Sequence, residues 1–127
     1  METVLKIISV AAGGSLGAVA RYLVNVSPLT GRLGKFPLPT FVINITGSFL
    51  IGFLLILLTD KLQVNDNVRM FLIVGFLGAF TTFSTFEAEI WGLIKEGSFL
   101  MAFGYLFLSV FVGFVGVVAG VRLAERI

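Results

Sequence analysis

Four long stretches without a charged residue divide this 127-residue chain and constrain its fold more than any other feature. A membrane-spanning helix needs roughly 20 mostly apolar residues, with a range of about 17–25. Three of the stretches reach that range, and the first does so if Lys6 and Arg21 snorkel towards the lipid headgroups. We therefore predict four transmembrane helices, at about Val4 to Val26, Pro39 to Thr59, Val68 to Ile94 and Ser98 to Arg122.

The composition agrees with an all-α integral membrane protein that forms one four-helix transmembrane domain over residues 1–127. Hydrophobic residues make up 57% of the chain and charged residues 13%, whereas about a quarter of a soluble domain is charged. The absence of Cys and His excludes thiol and imidazole chemistry and the usual zinc sites. The few basic residues are scattered, which gives no support for nucleic-acid binding, and no nucleophile–base pair points to an enzyme.

The basic residues are almost evenly divided between the two ends of the predicted bundle. An even number of spans places both termini on one side of the membrane. That side holds five basic residues, and the opposite side holds Arg32, Lys35 and Lys95, with Arg21 as a fourth if it snorkels that way. Orientation follows the Lys and Arg excess in short loops, so the bias is weak. Two interpretations stay open: insertion in both orientations, or a weak signal without that meaning.

Small residues recur at four-residue spacing in three of the spans. Such pairs let helix backbones approach closely, although they do not identify which helices meet. Four helices are few for a pore, so we expect an oligomer. The pairs are Gly13 with Gly17, Ser48 with Gly52, and Gly116 with Gly120.

The segment GFLGAFTTFSTF, from Gly75 to Phe86, carries polar groups at membrane depth. Hydrocarbon offers hydroxyl groups no water partner, and Gly78 lowers helix propensity beside β-branched residues. We predict that the third helix is broken mid-membrane, where broken backbone is tolerated only if protein buries it or it lines a polar cavity. The four hydroxyl residues of the segment are Thr81, Thr82, Ser84 and Thr85.

Two further polar residues lie within the predicted spans, and each has two interpretations. Asn44 forms an interhelical hydrogen bond or directs its amide N–H at an anion, and the sequence does not decide between these. Arg21 snorkels to the headgroups or attracts anions in a vestibule.

Aromatic and hydroxyl side chains share helical faces in the third and fourth spans. Phe83 and Phe86 are three residues apart, and the positive edges of their rings suit a path for a small anion. Ordinary apolar packing is the alternative. Tyr105 and Ser109 place two hydroxyl groups on one face of the fourth span, which predicts a buried polar track.

Three motifs resemble the Fluc/CrcB family of fluoride channels, and the resemblance covers the whole chain. The motifs are GGSLGAVARY in the first span, FVINITGSFLIG in the second and GFLGAFTTFSTF in the third. The resemblance implies an antiparallel, dual-topology homodimer in the plasma (inner) membrane, with two pores that both chains build. It also implies a structural Na⁺ at the dimer centre, held by backbone carbonyls at positions that match Gly78 and Thr81.

The resemblance further implies which side chains line each pore, with Arg21 as the vestibule arginine. Members often carry a Ser and a Thr where this chain has Gly113 and Val117, so the far end of the hydroxyl track departs from the family pattern. The implied pore residues are Asn44, Phe83, Ser84, Thr85, Phe86, Tyr105 and Ser109.

The resemblance implies passive export of fluoride, driven by the inside-negative membrane potential. A proton-coupled multidrug transporter is the main alternative, since such proteins are also four-span antiparallel dimers. That class needs an acidic residue in the membrane interior, whereas Glu87 and Glu89 lie near one end of the third span. A structural subunit without transport activity is the second alternative. It does not explain why the third span carries a cluster of hydroxyl residues.

Overall fold

The structure, a computed structural model that describes all 127 residues, is entirely helical and contains four spans. Each span is long and apolar enough to cross a membrane, as predicted. The first span is α1 (Glu2–Asn25), and the second is α2 (Leu38–Ile56) prolonged by a π-helical turn (Leu57–Lys61). The third span runs from Asp66 to Lys95, and the fourth is α6 (Phe99–Glu125). The third comprises α3 (Asp66–Arg69), a π-helical segment (Met70–Leu77), α4 (Gly78–Phe80) and α5 (Ser84–Lys95).

The span boundaries lie within about three residues of the predicted ones because local signals set them. Pro39 occupies the first turn of α2, where its missing N–H costs no helical hydrogen bond. The Asn65 side chain caps α3 by accepting a hydrogen bond from the Val68 N–H at 3.1 Å. Gly97 separates α5 from α6 with φ +80°, a conformation that favours glycine.

The first span packs directly against the π-helical segment of the third. Gly13 and Gly17 are the buried residues of α1, and a Cβ at either position would overlap a backbone carbonyl oxygen, of Phe71 or Phe76 respectively. The absence of side chains at both positions therefore sets the distance between the two helices. The small-residue pair that the sequence singled out here serves packing within one protomer.

The second and fourth spans form the other close pair and run in the same direction. A Cβ at Gly113 would lie 3.4 Å from the Ser48 Oγ, and a Cβ at Gly52 would overlap the Val117 carbonyl oxygen. The facing residues thus advance together, by four positions in each helix. This shared register places polar residues of α2 opposite polar residues of α6 along one seam.

The close contact between α1 and the third span predicts the effect of Gly17→Ala on stability. The added methyl group has only backbone atoms to displace, so we expect the free energy of unfolding to fall by about 1–3 kcal/mol. Thermal unfolding of the detergent-solubilised protein measures this as a lower midpoint. Gly14→Ala in the same helix is the matched control, because its Cβ would lie 3.7 Å from the nearest atom. Equal midpoints for the two variants would contradict the packing argument.

Candidate functional site

The third span leaves helical geometry between Phe80, where α4 ends, and Ser84, where α5 begins. Thr81 is extended, with φ −79° and ψ 159°. Its hydroxyl and its N–H both bond to the Leu77 carbonyl oxygen, at 2.9 and 3.0 Å, and so close the last turn of α4. The backbone beyond Thr81 must therefore find hydrogen-bond partners outside the helix.

Asn44 of α2 supplies those partners. Its Oδ1 accepts from the Thr82 N–H at 2.9 Å, and its Nδ2 donates to the Thr82 carbonyl oxygen at 2.9 Å. The amide therefore replaces the helical bond that Thr82 would make with Gly78. One of the two interpretations from the sequence, the interhelical hydrogen bond, is present in this form. The second Nδ2 hydrogen is not used by this pair, so a contact of Asn44 with an anion stays a prediction.

The interruption also frees two backbone carbonyl oxygens. Gly78 loses its helical donor because the Thr82 N–H bonds to Asn44, and Thr81 loses its donor because the Thr85 N–H bonds to the Thr82 Oγ1 at 3.3 Å. No N–H of the protein replaces either donor. Carbonyl groups at a helix C-terminus carry partial negative charge, so the two oxygens suit a cation.

A cavity of about 320 Å³ lies beside the interruption, between α2, the third span and α6. It brings together six of the residues that the sequence predicted for ion sites. No charged side chain lines it. The six are Asn44, Gly78, Thr81, Phe83, Phe86 and Ser109.

The two phenylalanines of the cavity differ in burial. The Phe86 ring is 5% exposed and belongs to the core between α5 and α6. The Phe83 ring lies 6.2 Å from it, centroid to centroid at 50°, yet Phe83 is 69% exposed. One protomer therefore surrounds Phe86 and leaves Phe83 on its surface at the edge of the cavity.

A chain of polar groups leads away from the cavity along the seam between α2 and α6. The Ser109 Oγ is buried and has no hydrogen-bond partner in the protein. One turn earlier in α6, the fully buried Tyr105 packs edge-on against Phe86 at 4.9 Å and donates its hydroxyl to the Glu89 Oε1 at 3.0 Å. The buried Thr40 of α2 donates to the other Glu89 oxygen at 3.1 Å.

The Glu89 carboxylate lies between two facing helices. It accepts hydrogen bonds from one hydroxyl group on each of them. It lines a second cavity, of about 520 Å³, at the end of the bundle where the first connection lies. Glu89 thus lies between that cavity and Tyr105.

Four of the predicted pore residues do not line the first cavity. Ser84 is exposed, and Thr85 contributes only its backbone N–H to the hydrogen bonds of the interruption. Arg21 is half-buried and its Nε is buried without a partner. Tyr105 reaches the cavity only through its contact with Phe86. The roles of all four stay predictions.

Sequence reasoning gave no site role to the polar residues on either side of Asn44. Thr40 and Ser48 lie one turn before and one turn after it in α2, and both take part in the polar seam. Their four-residue spacing from Asn44 was the signal that would have found them. The backbone of Thr82 carried no signal, since its role does not depend on its side chain.

Comparison with known proteins places these features in a family context. The family model described as "CrcB-like protein, Camphor Resistance (CrcB)" matches residues 8–121. A relative from Hydrogenobaculum sp. (strain Y04AAS1), named fluoride-specific ion channel FluC, is 47% identical over 91% of this chain and 94% of its own. Relatives with the same name from Solibacter usitatus and Hahella chejuensis are 42% and 41% identical. The matches cover 96% and 98% of this chain, and 100% and 98% of those proteins.

The two hydrogen bonds between the Asn44 amide and the Thr82 backbone predict the effect of Asn44→Ala on stability. The variant leaves a half-buried N–H and a half-buried carbonyl unpaired, so we expect the free energy of unfolding to fall by about 1–3 kcal/mol. The thermal midpoint in detergent is the measurement. Thr46→Ala is the control, because Thr46 is an exposed residue of the same helix. An Asn44→Ala midpoint no lower than that of the control would show that these two hydrogen bonds do not stabilise the fold.

Proposed function

This chain belongs to the CrcB family, and on that premise we propose that it is a fluoride-selective ion channel that exports cytoplasmic fluoride by passive electrodiffusion. The observation that carries the proposal is the uncharged cavity beside the interrupted third span. Its polar lining includes Asn44 and the unpartnered hydroxyl of Ser109, next to the rings of Phe83 and Phe86.

The chemistry of this lining suits a small, hard anion. Fluoride is strongly hydrated, so a pore must offer hydrogen-bond donors in place of the water that it removes. Hydroxyl and amide groups are such donors, and the edge of a phenyl ring carries partial positive charge. A full positive charge would bind the ion too tightly for release, and none lines the cavity.

The direction of transport follows from the membrane potential. Fluoride enters a cell as neutral HF and ionises at cytoplasmic pH. The potential then drives the anion outward with about 2.3 kcal/mol per charge for each 100 mV. No substrate-coupled conformational step is needed, since the channel only has to provide a path.

The proposed assembly is an antiparallel, dual-topology homodimer with two pores. Two features of the chain support it. The basic residues divide five against four between the two ends, which fits insertion in both orientations. Phe83 lines the cavity although 69% of it is exposed, which is expected if a second copy of the chain supplies the missing wall.

A structural Na⁺ at the two-fold axis of this dimer completes the proposal. The carbonyl oxygens of Gly78 and Thr81 fit the ion, because each has lost its helical N–H donor and faces no replacement. Unwound backbone carbonyls are established sodium ligands in membrane proteins. The chain contains no cluster of acidic, His or Cys side chains that offers an alternative metal site. We place the interruption at mid-membrane, and the ion would hold the two interruptions together there.

The proposal predicts the effect of Phe83→Ile on fluoride efflux from liposomes. The substitution removes the ring edge while keeping an apolar side chain, so we expect fluoride efflux to fall to the rate of empty liposomes. A fluoride electrode measures the efflux, and chloride efflux is measured in parallel. Phe107→Ile is the matched control, because Phe107 is 68% exposed and lies away from the cavity. Chloride efflux as fast as that of fluoride, or proton-dependent cation flux, would reject the function.

The sodium site predicts sensitivity to cation exchange. Purification in N-methylglucamine in place of Na⁺ removes a cation that fits between carbonyl oxygens. We expect a larger monomer fraction on size-exclusion chromatography, or a loss of fluoride efflux that returns when Na⁺ is restored. Exchange into choline tests a second bulky cation. If neither the dimer fraction nor the efflux rate changes when Na⁺ is replaced by either bulky cation, Gly78 and Thr81 are not Na⁺ ligands.

A further inference from the structure

The seam between α2 and α6 carries polar groups at successive turns. At the first level Thr40 and Tyr105 face each other and share the carboxylate of Glu89. At the second level, one turn further in both helices, Asn44 and Ser109 line the same cavity. Each of these levels receives a polar side chain from both helices.

The third level breaks this pattern on one side only. Gly113 of α6 has no side chain, and Ser48 of α2 faces it, with 3.4 Å between the Ser48 Oγ and the position of a Cβ at Gly113. Ser48 lines the cavity together with Ser109. At the next level Gly52 lies against the Val117 backbone, so the seam contains no side-chain donor there. Ser48 is therefore the last hydroxyl on this path.

Ser48 differs from several hydroxyl groups of the chain in making no hydrogen bond to the carbonyl one turn earlier. Serine and threonine within a membrane helix usually bond back to the carbonyl one turn earlier. Ser9, Ser15 and Thr81 do so here, at 2.8, 2.7 and 2.9 Å. Ser48 and Ser109 make no such bond, and both lie on the cavity. Their hydroxyl hydrogens stay available to a group inside it.

We propose that Ser48 is an anion-coordinating residue, which donates its hydroxyl hydrogen to the permeating fluoride one turn beyond Asn44. The proposal rests on the proposed function. Ser48 and Ser109 then act as successive donors from facing helices, and the missing side chain of Gly113 leaves the Ser48 hydroxyl uncovered. A hydroxyl with no partner in apolar surroundings is costly, and the passing anion provides the acceptor.

Fluoride efflux from liposomes tests this assignment with Ser48→Ala. Loss of one donor to the ion is expected to slow efflux about tenfold, the factor that corresponds to ~1.4 kcal/mol. Ser15→Ala is the matched control, because the Ser15 hydroxyl is already bonded to the Ala11 carbonyl, and its efflux should equal that of the wild type. Efflux from Ser48→Ala at the wild-type rate would overturn the proposal. Absence of fluoride-selective efflux from the wild type would instead overturn the proposed function.

A relocated hydroxyl separates coordination from packing. Gly113→Ser added to Ser48→Ala returns a hydroxyl to the same level from α6, into the space that the Ser48 Oγ leaves. We expect the double variant to recover most of the lost efflux. If it elutes as the wild type does and stays as slow as Ser48→Ala, the loss came from packing and the proposal is wrong.

A thiol at the same position gives a second measurement that does not depend on the double variant. The chain has no native Cys, so Ser48→Cys introduces the sole thiol. Methyl methanethiosulfonate, a small neutral reagent, should then block its fluoride efflux, whereas Ser15→Cys should be insensitive. Efflux from Ser48→Cys that continues unchanged after complete modification, verified by mass spectrometry, would place residue 48 outside the path and overturn the proposal.

Discussion

The pair of hydrogen bonds between the Asn44 amide and the Thr82 backbone is the interaction on which the rest of the structure depends. An interrupted helix in apolar surroundings leaves N–H and carbonyl groups that water cannot reach, and each costs free energy. Asn44 satisfies both Thr82 groups with a single side chain. Because the Thr82 N–H bonds to Asn44, it no longer bonds to the Gly78 carbonyl oxygen. The hydrogen bond that stabilises the interruption therefore also leaves that oxygen free.

Close helix contact is what brings that amide within reach. Gly47, which precedes the Ser48 position by one residue, faces Thr81 so closely that a Cβ there would overlap the Thr81 methyl group. On the other side of the third span, Gly13 and Gly17 let α1 approach the π-helical segment. The third span is therefore packed from both sides by helices that carry glycine at the points of contact. The glycines set the distance between the helices, and at that distance the polar side chains reach their hydrogen-bond partners.

Much of the fold could be predicted from the sequence because its signals are local. Uncharged length defined the four spans, and proline and glycine in the connections defined their ends. The hydroxyl cluster around Thr82 lies where the third span leaves helical geometry, and Asn44, Phe83, Phe86 and Ser109 line one cavity. The contacts that the sequence did not predict all join different spans. The hydrogen bonds of Glu89 with two facing hydroxyl groups depend on the register of α2 against α6, which no single helix encodes.

The freed oxygens of Gly78 and Thr81 belong to the main chain, and so does every atom through which Thr82 meets Asn44. Main-chain atoms are common to all amino acids, so a mutational scan cannot delete them one by one. Loss of function would instead follow substitutions at neighbouring positions, where a bulkier residue shifts the backbone. Substitution of the Thr82 side chain would then have little effect, while substitutions of the nearby glycines and of Asn44 would have a large one.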